Sequence, residues 1–252
     1  MQSIIISAPF GNYYNLFGFK NVTYTLGTFT ARPRGWLDKP YGNRWARLLW
    51  TVRYSRSTGG WINKLGLKNP GIGWLCNNRK IDVSDKIVSI YGETLQDWLI
   101  LLNCIKSIRP LACELNLSCP NIKTSNIEIS ALRTAQETGV PIIVKIPPVF
   151  YEPIVDICYS IGIKTFHCCN TLPTPYGGIS GKPLIKISQG VVKHLRYKYP
   201  DIRIIGGGGI TEKQDAFDYM NAGANYIALG TMLFNPLNWF KIKNLLLLKN
   251  YF

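Results

Sequence analysis

The chain has 252 residues, 46% hydrophobic and 17% charged, a composition that excludes a disordered or fibrous chain and suits an α/β protein with a sizeable core. Met1 to Ser7 shows no basic region ahead of a long apolar run, and no apolar stretch approaches the ~18 residues of a membrane span, so neither a secretion signal nor a spanning helix is expected. Net charge is +15, but the 29 Lys and Arg are dispersed, with the densest group at Arg44, Arg47, Arg53 and Arg56; this reads as a solvated basic surface rather than a nucleic-acid footprint.

In chain order, short β-rich apolar runs predict eight strands: Ile4–Ala8, Val22–Thr28, Lys86–Tyr91, Ala112–Leu117, Pro141–Ile146, Thr165–Asn170, Arg203–Gly207 and Tyr226–Gly230. Helical spacing of apolar residues predicts helices over Thr94–Lys106, Asn126–Glu137, Glu152–Ile161, Ile185–Tyr199, Thr211–Ala222 and Asn238–Leu248. Strand–helix alternation implies parallel pairing with right-handed crossovers. The expected fold is therefore α/β, a single (β/α)₈ TIM barrel over residues 1–252.

Function in such a barrel gathers at the C-terminal ends of the strands. Those tips are Ser7-Ala8-Pro9, Thr28, Tyr91-Gly92, Asn116 to Asn121, Lys145, Asn170-Thr171, Gly206 to Gly209 and Gly230-Thr231, polar or glycine-rich where the strands behind them are apolar. Gly206 to Gly209 lead into a helix start at Ile210-Thr211-Glu212. Glycines let backbone N–H groups approach an anion, a helix N-terminus adds positive partial charge, and barrel phosphate sites recur after the last two strands. A phosphate cradle is expected there, with Gly177 to Gly181 as a third wall. Tight turns alone would explain the same glycines, but not their shared place on the barrel.

Lys145 shares inward parity with Ile143, and an inward lysine needs an anion or an electron-rich ligand. Glu114 also points inward and is one partner; the tip position of Lys145 favours a ligand. In Glu114-Leu115-Asn116-Leu117-Ser118-Cys119-Pro120-Asn121, alternation puts Glu114 and Asn116 on one side, and a Cys-Pro-Asn turn ends the strand. A thiol there can act as a base, and two amides can hold a planar polar ligand. The octapeptide alone fits an ordinary turn equally well. His167, by parity opposite to Asn170, is expected to face outward, and both it and His194 read as structural. The seven cysteines include no Cys-x-x-Cys pair and several sit in apolar runs, which predicts free thiols in a reducing, cytoplasmic setting, without disulfide, zinc or iron–sulfur cluster.

These residues resemble the dihydroorotate dehydrogenase family, especially its soluble class with a cysteine base, from about Ile4 to Pro236. The resemblance is carried by Asn63 to Gly71, Glu114 to Asn121, Pro141 to Lys145, Gly177 to Leu184, Gly206 to Ile210 and Gly230-Thr231. It implies FMN, with its phosphate at Gly208, Gly209, Gly230 and Thr231 and Lys145 near the N1/O2 edge. Ala8, Thr28, Asn116, Gly178, Ser180 and Gly181 complete the implied flavin wall. Asn63, Asn116, Asn121, Asn170 and Thr171, with the backbone of Gly66 and Leu67, would hold a pyrimidine. Cys119 would take a proton from the carbon next to the substrate carbonyl while the flavin accepts hydride, oxidising dihydroorotate or a related dihydropyrimidine to orotate in pyrimidine biosynthesis.

Three departures from the family pattern stand out. Gly27 lies where the family carries a lysine, leaving Arg32, Arg34 or Lys39 to reach in. The segment after Asn121 is short, and only Leu172 to Tyr176 separate Thr171 from Gly177. The basic, aromatic-rich Asn43 to Thr58 is a candidate replacement cover. The electron acceptor is open between fumarate, another soluble acceptor and a partner subunit, and a homodimer is possible. Two other readings share the same residues: a tRNA dihydrouridine synthase-like flavoenzyme, which the basic charge would suit, and a flavin-binding barrel that has lost turnover.

Overall fold

Runs such as Ile4-Ile5-Ile6 and Ile142-Ile143-Val144 are apolar on both faces, so each must be covered on both. The computed structural model, which describes residues 1–35, 52–63, 66–78, 80–117, 129–235 and 238–246, provides that cover by closing the strands into a parallel barrel. Its strands are β1 (Ile4–Ile6), β2 (Thr23–Phe29), β5 (Ile87–Ile90), β6 (Ala112–Asn116), β7 (Ile142–Ile146), β8 (Thr165–Cys168), β11 (Arg203–Gly207) and β12 (Tyr226–Leu229). They follow one another around the ring in chain order, and β12 pairs with β1 in register Ile5↔Ala228. These are the eight predicted strands.

Ile5, Ile87, Ala112, Ile143, Ile205 and Ala228 fill the interior, which makes the barrel a packed core rather than a pore. The outward residues, among them Val88, Leu115, Val144, Phe166 and Ile204, meet the helices. In chain order the helices are α1 (Tyr14–Phe17), α2 (Ile72–Asn77), α3 (Leu95–Ile108), α4 (Ile129–Glu137), α5 (Glu152–Ser160), α6 (Ile185–Lys198), α7 (Lys213–Asn221) and α8 (Trp239–Leu246). Local chemistry fixes where some of them start. Thr94 caps α3 by accepting from Asp97 N–H while Asp97 accepts from Thr94 N–H, so two otherwise orphaned donors are satisfied. No helix among the described residues is long and apolar enough to cross a membrane.

A second sheet lay outside the sequence expectation. β3 (Val52–Ser55), β4 (Gly60–Asn63), β9 (Leu172–Thr174) and β10 (Gly177–Ser180) form an antiparallel sheet in the order β3-β4-β10-β9. It meets the C-terminal side of the barrel through Trp61, whose ring centroid lies 5.3 Å from that of Phe234, which in turn packs edge-on to Phe10 at 4.8 Å. Part of the expected cover thus becomes β3 and its turn, and residues 43–51 lie outside the described set. The glycine wall at Gly177 to Gly181 is largely strand β10.

The cysteine expectation needs one correction. Cys76 of α2 and Cys104 of α3 form a disulfide, their Cα atoms 6.1 Å apart. The two helices pack side by side, and a separation of 28 residues carries no sequence signal for that pairing.

Candidate active site

The C-terminal mouth of the barrel opens into a cavity of about 90 Å³. Its wall includes Ala8, Asn63, Lys145, Asn170, Thr171 and Ser180 among the residues singled out from the sequence. Gly208, Gly209, Gly230 and Thr231 line it as well. Cys119 and Asn121 lie outside the described residues. Strand β6 brings the chain to the mouth at Leu117, whose N–H donates to the Lys145 carbonyl at 3.1 Å.

Gly208 and Gly209 have φ of +112° and +83°, a region costly for side-chain-bearing residues. A Cβ on Gly209 would stand 2.5 Å from the Gly181 carbonyl oxygen and 2.5 Å from Ile185 Cγ1, so the approach of the two loops itself requires glycine. Behind the turn, Ser188 Oγ donates to the Gly207 carbonyl at 2.6 Å, and the Tyr219 hydroxyl lies 2.8 Å from the Gly208 carbonyl. Those carbonyls are thereby satisfied from the helix side. The N–H groups of Gly208, Gly209, Gly230 and Thr231 donate no hydrogen bond to another described residue. Four unspent donors around one concavity suit a phosphate group. Just before α7, Asp215 Oδ2 accepts from Thr211 N–H at 2.8 Å and Glu212 N–H at 3.0 Å, so those two N–H groups are already spent.

Opposite the cradle runs a polar chain. Ser89 Oγ and Thr28 Oγ1 are 3.0 Å apart, Asn116 Nδ2 donates to Thr28 Oγ1 at 3.1 Å, and Asn170 Nδ2 reaches Asn116 Oδ1 at 3.4 Å. This network draws one side chain from each of β5, β2 and β6 and one from the loop after β8, and it orients the two amides. Asn63 Nδ2 donates to the Gly178 carbonyl at 3.2 Å, tying β4 to β10 at the rim. Gly178 and Gly181 lie in and just after β10, outside the cavity lining. Gly66 and Leu67 form the turn before α2, also outside the lining, and both have positive φ. Asn69 holds that turn: its Nδ2 donates to the Leu67 carbonyl at 2.7 Å, and its Oδ1 accepts from Gly71 N–H at 2.8 Å.

The floor beneath the mouth carries Glu114, Lys145 and His167, all buried. His167 corrects the sequence expectation. It faces inward, with Nδ1 2.6 Å from Glu114 Oε2, because β8 ends at Cys168 and alternation cannot be counted back from Asn170. Burial opposes ionisation of Glu114, yet the charge of Lys145 and the contact with His167 hold its carboxyl down at about 2. The same burial, reinforced by Lys145, pushes the His167 imidazole below its ordinary range. The floor thus carries a carboxylate, an ammonium and a neutral imidazole.

The residues considered in place of a lysine at Gly27 do not all reach the site. Arg34 pairs with Glu93 at 2.6 Å, Arg32 is exposed, and Lys39 lies outside the described residues.

A family model described as dihydroorotate dehydrogenase matches residues 41–246. The catalytic subunit of dihydroorotate dehydrogenase B (NAD(+)) from Bacillus cytotoxicus is 31% identical over 259 residues, which span 89% of this chain and 79% of that protein. The corresponding subunit from Staphylococcus carnosus is 28% identical over 261 residues, spanning 91% of this chain and 80% of its own length. The crystal structure of DHODH from Eimeria tenella in complex with ferulenol matches with a TM-score of 0.75 over 99% of this chain and 82% of that one, a likeness of fold at 19% identity. With a closed barrel, an unspent set of N–H donors at its mouth and these relatives, the chain belongs to the dihydroorotate dehydrogenase family of FMN-dependent oxidoreductases acting on CH–CH bonds.

Proposed function

We propose that the chain, working as one barrel domain, oxidises dihydroorotate to orotate, with Cys119 as the general base. The observation that carries this reading is the pairing of an anion cradle at Gly208, Gly209, Gly230 and Thr231 with an amide-rich wall across the same mouth. The cradle fits the FMN phosphate, Lys145 and Ser180 supply polar groups along the wall, and Thr28 and Asn116, hydrogen-bonded to each other outside the cavity lining, would complete it. FMN, when bound, supplies the acceptor for a hydride equivalent. The chain's own residues do the rest. Asn63, Asn116, Asn121 and Asn170 hydrogen-bond the pyrimidine, with Thr171 and the Gly66–Leu67 backbone at its margin. The Cys119 thiolate removes the proton next to the substrate carbonyl. An unshifted thiol ionises near ~8.5, so turnover rises with pH through that range.

The relatives' printed description as catalytic subunits of an NAD(+)-type enzyme supports a partner subunit as the route by which electrons leave. The test is direct: purified protein is assayed for bound FMN and then mixed anaerobically with dihydroorotate. Loss of the flavin absorbance is expected. FMN-loaded protein that does not bleach, or that binds tRNA tightly and salt-sensitively, would overturn the assignment.

A further inference from the structure

Glu114, Lys145 and His167 come from the adjacent strands β6, β7 and β8, and Lys145 and His167 are direct partners in the register. The Glu114–His167 contact is 2.6 Å, with the two side chains 1% and 3% exposed. The other elements around the imidazole contribute no further charge among the described residues: Ser89 from β5, Cys169 beyond β8, and Ile205 and Gly207 from β11. The chain has two histidines, and the other, His194, bonds Tyr151 at 2.6 Å away from this site. Neutral His167 donates Nδ1–H to Glu114 and keeps a lone pair on Nε2. Nε2 has no hydrogen-bond partner among the described residues, and His167 lines the mouth.

At rest, then, the floor carries one negative and one positive charge and no net charge. Any anion formed above it is unbalanced in a medium where charges interact strongly. We infer that His167 balances that charge: it takes up a proton at Nε2 when the bound flavin is reduced, and Glu114 holds the resulting imidazolium. This rests on the FMN reading above. Two electrons and one proton go to the flavin, leaving it anionic; a second proton comes from solvent and forms the new Nε2–H bond. No bond to Glu114 breaks, and its hydrogen bond with His167 becomes an ion pair. His167 is a positioning residue for charge, not a group that touches the scissile C–H bonds.

The experiment follows the ring signals of isotope-labelled histidines by NMR in the FMN-loaded chain, before and after anaerobic reduction with dithionite, with His194→Gln for assignment. The expected result near neutral pH is a His167 ring that is neutral when oxidised and cationic when reduced. In parallel, an indicator dye in weak buffer counts protons taken up per electron pair, after the protons released by dithionite oxidation in a flavin-free blank are subtracted: two for the wild type, one for His167→Gln and one for Glu114→Gln. A chain that holds no FMN would remove the flavin reading and this inference together. FMN-loaded protein whose His167 ring keeps one protonation state through reduction would overturn the inference alone, as would an unchanged proton count in His167→Gln.

Discussion

Asn12 grips Gly27 on both sides of the residue: Asn12 Nδ2 donates to the Gly27 carbonyl and Gly27 N–H donates to Asn12 Oδ1, each at 2.8 Å. Gly27 has φ of +109°, and a Cβ there would stand 2.4 Å from the Ser89 carbonyl oxygen. The position therefore does not accept a side chain without a shift of the backbone. Gly27→Lys and Gly27→Ala are both expected to destabilise the fold by at least ~2 kcal/mol, read as a lowered melting temperature. A lysine variant as stable as wild type would show that the backbone at the β2 tip relaxes.

Asn69 is buried and spends its amide on four contacts, with Thr30 N–H and Thr30 Oγ1 in addition to Leu67 and Gly71. Asn69→Ala leaves several buried partners unsatisfied. A loss of ~2–4 kcal/mol is expected by denaturant unfolding, together with weaker orotate binding as the Gly66–Leu67 turn loosens.

At the cradle, Gly209→Ala is expected to weaken FMN binding by roughly 10- to 100-fold, the equivalent of losing a charge-assisted hydrogen bond, as read by quenching of flavin fluorescence. Tyr219→Phe removes the hydroxyl behind Gly208 and is expected to weaken binding by about fivefold, through the loop rather than by contact. Equal affinity in both variants would move the phosphate elsewhere.

Much of this architecture was legible because burial on both faces writes itself as continuous apolar runs: all eight barrel strands were found within a residue or two of their ends. The strand tips were legible for the complementary reason, that glycine and amide residues there are not spent on the core. The β3-β4-β10-β9 sheet was not, because its strands are only three or four residues long, β3 and β9 are partly exposed, and Gly177-Gly178 in β10 reads as a turn. His167 was misjudged because period-two parity holds only while a strand lasts. The Cys76–Cys104 bond depends on two helices meeting in space, which local sequence does not encode.

Acid should weaken the fold in two stages. Below about 6.5 the unfolded chain protonates its imidazoles while folded His167, with its lowered pKa, does not, so the unfolded state binds more protons and stability falls. Below about 4.5 the unfolded carboxyl takes a proton that folded Glu114 refuses until about 2, and stability falls further. Melting temperature measured across this range is expected to decline from neutral downward, and His167→Gln should flatten the upper part of the decline. A variant that follows the wild-type curve through that part would contradict a neutral buried imidazole.

The most direct test of the account is the rate at which dihydroorotate bleaches the FMN-loaded chain under anaerobic rapid mixing, wild type against Cys119→Ala. The expected result is bleaching by both, slower in the variant by at least ~100-fold and without the rise with pH. Equal rates, or a variant that keeps the wild-type pH profile, would remove Cys119 from the chemistry.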